Sequence, residues 1–270
     1  MTQALLHAHI TGDPQATPVV LLHAIATHGG MWQAQIAPLA DHAHVIAIDL
    51  PGHGLSGLLE GQPGIADYAD AVVATLDALG IGKAMFVGLS FGSMIAQSLG
   101  ARHGERVLGL ILSNGVHCTP PALAELWQQR VADAQHTGMD AQVPATLARW
   151  FTPAFADQHP ATIGAIGQMV ASTSLEGYCA AASAIAQMDH RDVLGQITAS
   201  TLVVAGAQDD AAPAQAVMAI ANAIAGAQFR LLPGAHLVNI EHGDSYTAMI
   251  LEFMQGLGAE AARTSEGKSA

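Results

Sequence analysis

Six short apolar runs, each bounded by turn-forming residues, restrict the folds open to this chain more than any other feature. They are residues 19–23 (VVLLH), 44–48 (HVIAI), 84–88 (AMFVG), 107–112 (VLGLIL), 201–205 (TLVVA) and 228–232 (QFRLL). None alternates strictly between apolar and polar positions. A strand with one wet face alternates, whereas a parallel strand covered on both faces does not. Between the runs lie segments with apolar residues at helical spacing, such as 67–79, 93–103 and 214–225. Strand followed by helix, repeated, predicts an α/β fold: a mostly parallel sheet flanked by helices. An early hairpin over residues 4–10 is expected to add antiparallel strands at one edge.

The alternation stops between Val116 and Asp192. This stretch carries helical spacing over 122–135, 141–151, 160–173 and 175–188, with no convincing strand. It is expected to form an inserted helical cap over one end of the sheet. The domain plan is therefore a core of residues 1–115 and 193–260, a cap of 116–192 and a disordered tail of 261–270. The chain turns small and polar from Gly256 onward.

Composition narrows the function classes. Hydrophobic residues make up 51% of the 270 and charged residues 11%, which excludes a disordered protein. Nine Lys and Arg stand against 22 Asp and Glu, a formal charge of -13. Nucleic acids and anionic membranes both require clustered cations, so neither is an expected partner. An isolated arginine in a pocket can still bind an anion. Cys118 and Cys179 do not form a disulfide framework and are expected to be reduced packing residues. The N-terminus lacks the basic and apolar regions of a secretory signal, and no apolar run approaches the roughly 20 residues of a membrane span. A soluble, cytoplasmic protein is expected.

The sharpest motif is Gly88-Leu89-Ser90-Phe91-Gly92, a G-x-S-x-G sequence placed directly between a strand and a helix. So tight a turn strains the serine backbone and packs neighbouring main chains where a Cβ would clash. It exposes the Ser90 hydroxyl at the carboxyl end of the sheet. A serine hydroxyl needs a base, usually a histidine oriented by a carboxylate. On such an elbow the partners follow in the order serine, acid, histidine. His236, in the loop just after the last strand, is the candidate base; His242 falls at the start of a helix. The acid is expected to close the strand 201–205, where Asp209 and Asp210 compete. The spacing from Gly206 favours Asp209, with Asp210 as the alternative acid or as a helix N-cap. The N–H groups of Phe91 and Ile25 are the candidate oxyanion donors. His23 is expected to bond loop backbone, and His28 is left open as a substrate contact. Asp49 and His53, in a glycine-rich turn, are expected to be structural.

Together the loop HAIATHGG (23–30), the turn DLPGHGLS (49–56), the elbow, the acid turn AGAQDD (205–210) and PGAH (233–236) resemble the α/β-hydrolase superfamily. A closer likeness lies within it. THGGMWQAQ (27–35), residues 86–107, LSN (112–114), ARWFTPAF (148–155) and residues 177–194 look like 3-oxoadipate enol-lactonases. Those enzymes open an enol-lactone ring in aromatic catabolism through an acyl-enzyme, with no metal or organic cofactor. The chain departs from the family's usual residues at Ala24, Phe91 and Ser93, positions expected to touch the acyl pocket. The resemblance implies a small ester or lactone that bears a carboxylate, with another lactonase, a carboxylesterase or a carbon–carbon bond hydrolase of the same fold as the alternatives. The cap's basic residues are Arg130, Arg149 and Arg191. Arg149, within the most family-like cap segment, is the candidate carboxylate clamp, with Trp150 as a wall of the site. Trp127 is expected in the cap's core.

Overall fold

A computed structural model of the chain describes residues 5–266. Seven strands form one sheet in the order β1-β3-β2-β4-β5-β6-β7. These are β1 (Ala8–Thr11), β2 (Pro18–Leu22), β3 (His44–Ile48), β4 (Ala84–Leu89), β5 (Val107–Ser113), β6 (Thr201–Gly206) and β7 (Gln228–Leu232). All neighbours run parallel except β1, which pairs antiparallel with β3. The six apolar runs are β2 to β7. Every residue of β4 and β6 is buried, as unbroken apolar runs require.

The N-terminus departs from expectation. Ala4 lies outside the described residues, and 5–10 form no hairpin. A single strand, β1, pairs with β3 instead. Residues 4–10 hold no Gly, Asn or Pro with which to turn. The turn comes later, at Gly12 (φ 87), where a side chain would run into the Ala43 carbonyl.

The helices cover both faces. They begin with α1 (Gln33–Ala40), α2 (Ile65–Ala78) and α3 (Phe91–Arg102), and the insertion contributes α4 (Pro121–Thr137), α5 (Val143–Trp150), α6 (Pro153–Gln158), α7 (Pro160–Ser172) and α8 (Leu175–Ala186). They end with α9 (Ala214–Ala223), α10 (Val238–Glu241) and α11 (Gly243–Glu266). Adjacent residues of β5 show the two layers. A Cβ on Gly109 would meet Phe253 and Leu257 of α11, whereas Leu110, on the opposite face, closes on Gly100 of α3. Two helical stretches were not anticipated from the sequence. α1 forms despite Pro38, because Leu39 and Gln35 are buried and Gln35 Nε2 donates to the Asn239 carbonyl at 2.9 Å. α11 runs through Glu266, into the tail expected to be disordered. The run Ala259-Glu-Ala-Ala-Arg263 consists of good helix formers and carries the helix past Gly256 and Gly258. Residues 267–270 lie outside the described residues.

The helical stretch between β5 and β6 leaves and re-enters through a narrow neck. Thr119 N–H donates to Met188 O at 2.9 Å, and His190 N–H donates to His117 O at 2.7 Å. Elsewhere it rests on the core backbone to backbone: a side chain at Gly177, near the start of α8, would strike Gly52 in the loop after β3. Cys118 and Cys179 are free thiols. Among the described residues no helix is long and apolar enough to cross a membrane.

Candidate active site

Ser90 is the single residue between β4 and α3, with φ 56 and ψ -114. For a residue with a Cβ this backbone conformation costs about 1–3 kcal/mol and persists only where its surroundings impose it. They do. Ser90 N–H donates to Ser113 O at 2.9 Å, and Gly92 N–H donates to His23 O at 3.0 Å. A Cβ at Gly88 would strike the Gly92 backbone, and one at Gly92 the Leu22 carbonyl.

The loop after β7 brings His236 Nε2 to 2.8 Å from Ser90 Oγ, and the turn after β6 brings Asp209 Oδ2 to 2.8 Å from His236 Nδ1. All three residues are buried, with 7% exposure or less. This is the geometry in which an imidazole can take a hydroxyl proton while a carboxylate holds its tautomer. Asp209 Oδ1 accepts from the N–H groups of Ala211 and Ala212 at 2.8 and 3.0 Å. Burial disfavours its charge. The His236 imidazole and hydrogen bonds from His236, Asn114 and Ala212 outweigh that and hold the carboxyl below its ordinary value. Asp210 is exposed at the cavity rim, and since Pro213 precedes α9 it does not cap that helix.

A cavity opens over Ser90 and His236. Its floor includes Ile25 and Met94, and its roof comes from the insertion: Trp127 and Arg130 of α4, Arg149 and Trp150 of α5, and Tyr178 of α8. The Trp150 ring stacks on the His236 imidazole at 6.3 Å and 24°. Phe91 N–H opens α3. Neither it nor the Ile25 N–H has a hydrogen-bond acceptor among the described residues. Ala24, Phe91 and Ser93, expected at the acyl pocket, are instead buried away from the cavity lining. The Phe91 side chain turns into the core, edge-on to Tyr68 at 4.9 Å. Trp127, expected inside the cap, faces the cavity.

Arg149 is half-buried, with Nη2 at 3.3 Å from Thr146 Oγ1, and the Arg130 guanidinium lies 4.7 Å above the Trp127 ring. Among the described residues neither has an acidic partner within 4 Å. Burial pulls both below their ordinary value, and Arg149 adds repulsion to Arg130; guanidinium remains charged at neutral pH all the same. Arg191 is exposed and paired with Asp189. Sequence reasoning did not select Arg130 for the site. The signal was present: Leu123, Trp127 and Arg130 fall at i, i+4 and i+7, one face of a helix.

Glu241 ties the roof to the loop that carries His236. Its carboxylate accepts from Thr152 N–H, at the α5–α6 joint, and from Ala235 N–H at 2.6 Å. Leu237 N–H donates to Trp150 O at 3.1 Å, so both sides of His236 are anchored to the insertion.

His23, His28 and Asp49 are engaged with loop backbone. His23 Nδ1 donates to Ala24 O at 2.7 Å and Nε2 accepts from Leu50 N–H at 2.8 Å. His28 accepts from Gly30 N–H and is not part of the cavity lining. Asp49 accepts from Gly29 and Leu55 N–H. Burial and the adjacent His53 hold His23 well below its ordinary value; burial lowers His53 to about 4, against the Pro51 carbonyl and Asp49. Unfolded, these imidazoles bind protons near pH 6.5. The unfolded chain therefore takes up more protons than the native one between about pH 6.5 and 4, and stability must fall with pH across that window. Urea denaturation should show little histidine-linked change above pH 7.5 and a loss of about 2 kcal/mol from His53 alone by pH 5.

The chain matches a family model described as the alpha/beta hydrolase fold over residues 17–183. With the sheet and elbow above, it belongs to the α/β-hydrolase family and is a hydrolase of that fold. Within the family it is similar to 3-oxoadipate enol-lactonase 2 of Acinetobacter baylyi, 29% identical over 244 residues that span 90% of this chain and 91% of that protein. The crystal structure of the enol-lactonase from Burkholderia xenovorans LB400 superposes with a TM-score of 0.89 at 33% identity, covering 93% of this chain and 96% of that one. A thermophilic esterase from Thermogutta terrifontis gives 0.88 at 29% identity, covering 93% of both chains.

Proposed function

We propose that this chain is a serine hydrolase that opens a carboxylate-bearing enol-lactone, of the 3-oxoadipate enol-lactone type, in cytoplasmic catabolism of aromatic compounds. The observation that carries this reading is the pair of half-buried guanidiniums, Arg130 and Arg149, roofing the Ser90–His236 pair without an acidic partner among the described residues. On a chain of formal charge -13, such a pair offers an anion a local home. Trp127 and Trp150 wall the ring.

In this mechanism His236 takes the Ser90 proton as Oγ attacks the lactone carbonyl. The N–H groups of Phe91 and Ile25 hold the tetrahedral oxyanion. The ring oxygen leaves as an enol, taking the proton back from the His236 imidazolium; it is a better leaving group than an alkoxide and stays tethered to the acyl group. Water, deprotonated by His236, then releases the acid and regenerates Ser90. Asp209 holds the imidazole tautomer in both halves. The chemistry calls for no metal or organic cofactor. The helical insertion, residues 116–192, serves as a cap that supplies substrate contacts, while the core supplies the reacting groups.

The test is turnover of 3-oxoadipate enol-lactone beside a neutral aryl ester. Arg149→Ala should cut kcat/KM for the lactone by about 10–100-fold, the worth of a hydrogen bond to a charged group, mainly through KM. The neutral ester should change little. A lactone KM untouched by the substitution would remove Arg149 from substrate binding. A wild-type protein that ignores the lactone but cleaves neutral esters would favour a carboxylesterase instead. The apolar cavity residues Leu123, Leu126, Met139 and Val170 suit such a substrate.

A further inference from the structure

Asn114 stands at the carboxyl end of β5, fully buried, with its backbone in the left-handed region (φ 49). Asparagine is among the few residues with a Cβ that enter this region readily. Its N–H donates to Val204 O at 2.9 Å, which fixes it to the strand that carries the acid turn. Its side-chain Nδ2 donates to Asp209 Oδ2 at 2.7 Å and lies 3.3 Å from Ala235 O, the carbonyl just before His236. Asp209 Oδ2 is the same oxygen that faces His236 Nδ1. One amide thus touches both the acid and the loop that carries the base. Chemistry sets its orientation, because a carboxylate accepts only from the NH2 end. Asn114 Oδ1 is buried without a partner among the described residues, the cost of that choice.

We infer that Asn114 is a positioning residue that holds Asp209 in the rotamer His236 needs and moderates how strongly that carboxylate draws the imidazolium proton. The inference rests on the serine-hydrolase reading above. A carboxylate oxygen with two donors spreads its charge over both. With Asn114 removed, the oxygen pulls harder on the imidazole, and His236 stays protonated to higher pH. An aspartate at 114 would go further: two carboxylates in contact cannot both be charged without strongly favouring a nearby cation. The titratable and charged groups facing this cluster are Asp209 and Asp210 after β6, His236 after β7, Glu241 on α10, Ser90 at the elbow, and Arg130, Arg149 and Tyr178 across the cavity.

The experiment measures the rate of covalent labelling by a fluorophosphonate between pH 5 and 9, using the full chain and its Asn114→Ala and Asn114→Asp variants. Labelling reports the reactivity of the Ser90 hydroxyl without reference to any natural substrate. Asn114→Ala is expected to slow labelling by about tenfold and to raise the acid-limb midpoint by about half a pH unit, with a larger rise, about one unit or more, for the near-isosteric Asn114→Asp. Unchanged midpoints would overturn the inference even if rates fall, since a purely structural residue lowers the active fraction without moving the limb. Loss of fold in both variants would overturn it too, by assigning Asn114 to stability. A wild-type chain that does not label would instead overturn the serine-hydrolase reading itself, an outcome distinct from the others.

Discussion

Ser90→Ala should lower turnover of any ester or lactone substrate by about 10⁴ to 10⁶-fold while leaving substrate affinity nearly intact. The substitution removes one oxygen from a buried site and none of the backbone bonds that hold the elbow. Its φ of 56 is as available to alanine as to serine, at similar strain. Folding should therefore survive, and the loss should fall on kcat. The Ile25 and Phe91 N–H groups would still polarise a bound carbonyl, so a residual rate above that in water is expected. Steady-state kinetics with an aryl ester, beside fluorophosphonate labelling followed by mass spectrometry, checks both parts. A variant that keeps more than about one per cent of wild-type turnover would remove Ser90 from the covalent step, because a true nucleophile is worth far more than that.

Asp209→Asn and Asp210→Asn should differ by about three orders of magnitude or more. Asp209 meets donors on both oxygens: Ala211 and Ala212 N–H on Oδ1, His236 and Asn114 on Oδ2. A carboxamide has one acceptor end. In either orientation its NH2 confronts donors, and the orientation that meets His236 would force the wrong imidazole tautomer. A fall in kcat of about 10⁴ is expected. Asp210 is exposed at the cavity rim, without a hydrogen bond or ion pair among the described residues. Its neutralisation should change kcat by no more than about threefold, with a slight gain in affinity for an anionic substrate from reduced repulsion. Parallel kcat measurements on the two variants decide which aspartate acts; equal losses would contradict the hydrogen bonding described above.

Much of the fold could be read in advance because parallel strands buried on both faces leave largely apolar runs, as β2 to β6 did, while the edge strand β7 keeps Gln228 and Arg230 among its apolar residues. Elements held by distant contacts left no such mark. α1 contains Pro38, and what secures it is Gln35 reaching the backbone of α10 and α11. The same division runs through the site. The elbow is local: its glycines and serine are dictated by one tight turn. Asp209 was favoured by its distance from Gly206. Arg130 and Tyr178 are different, because which helical face looks down on the sheet depends on how the insertion docks, as at Gly52 and Gly177. Asn114 was within a quoted segment, yet its contacts lie 95 and 121 residues away along the chain, beyond any local pattern.

The Glu241 carboxylate has a practical consequence for anyone remodelling this scaffold. Swapping residues between β5 and β6 for those of another hydrolase is an attractive route to new selectivity, but one amide in that stretch, at residue 152, is half of the clasp securing the loop that carries His236. Chimeras whose crossover points spare the α5–α6 corner should keep a firmly seated imidazole and register only altered preference. Chimeras that displace it should lose turnover on every compound at once, however well the imported helices suit their guest.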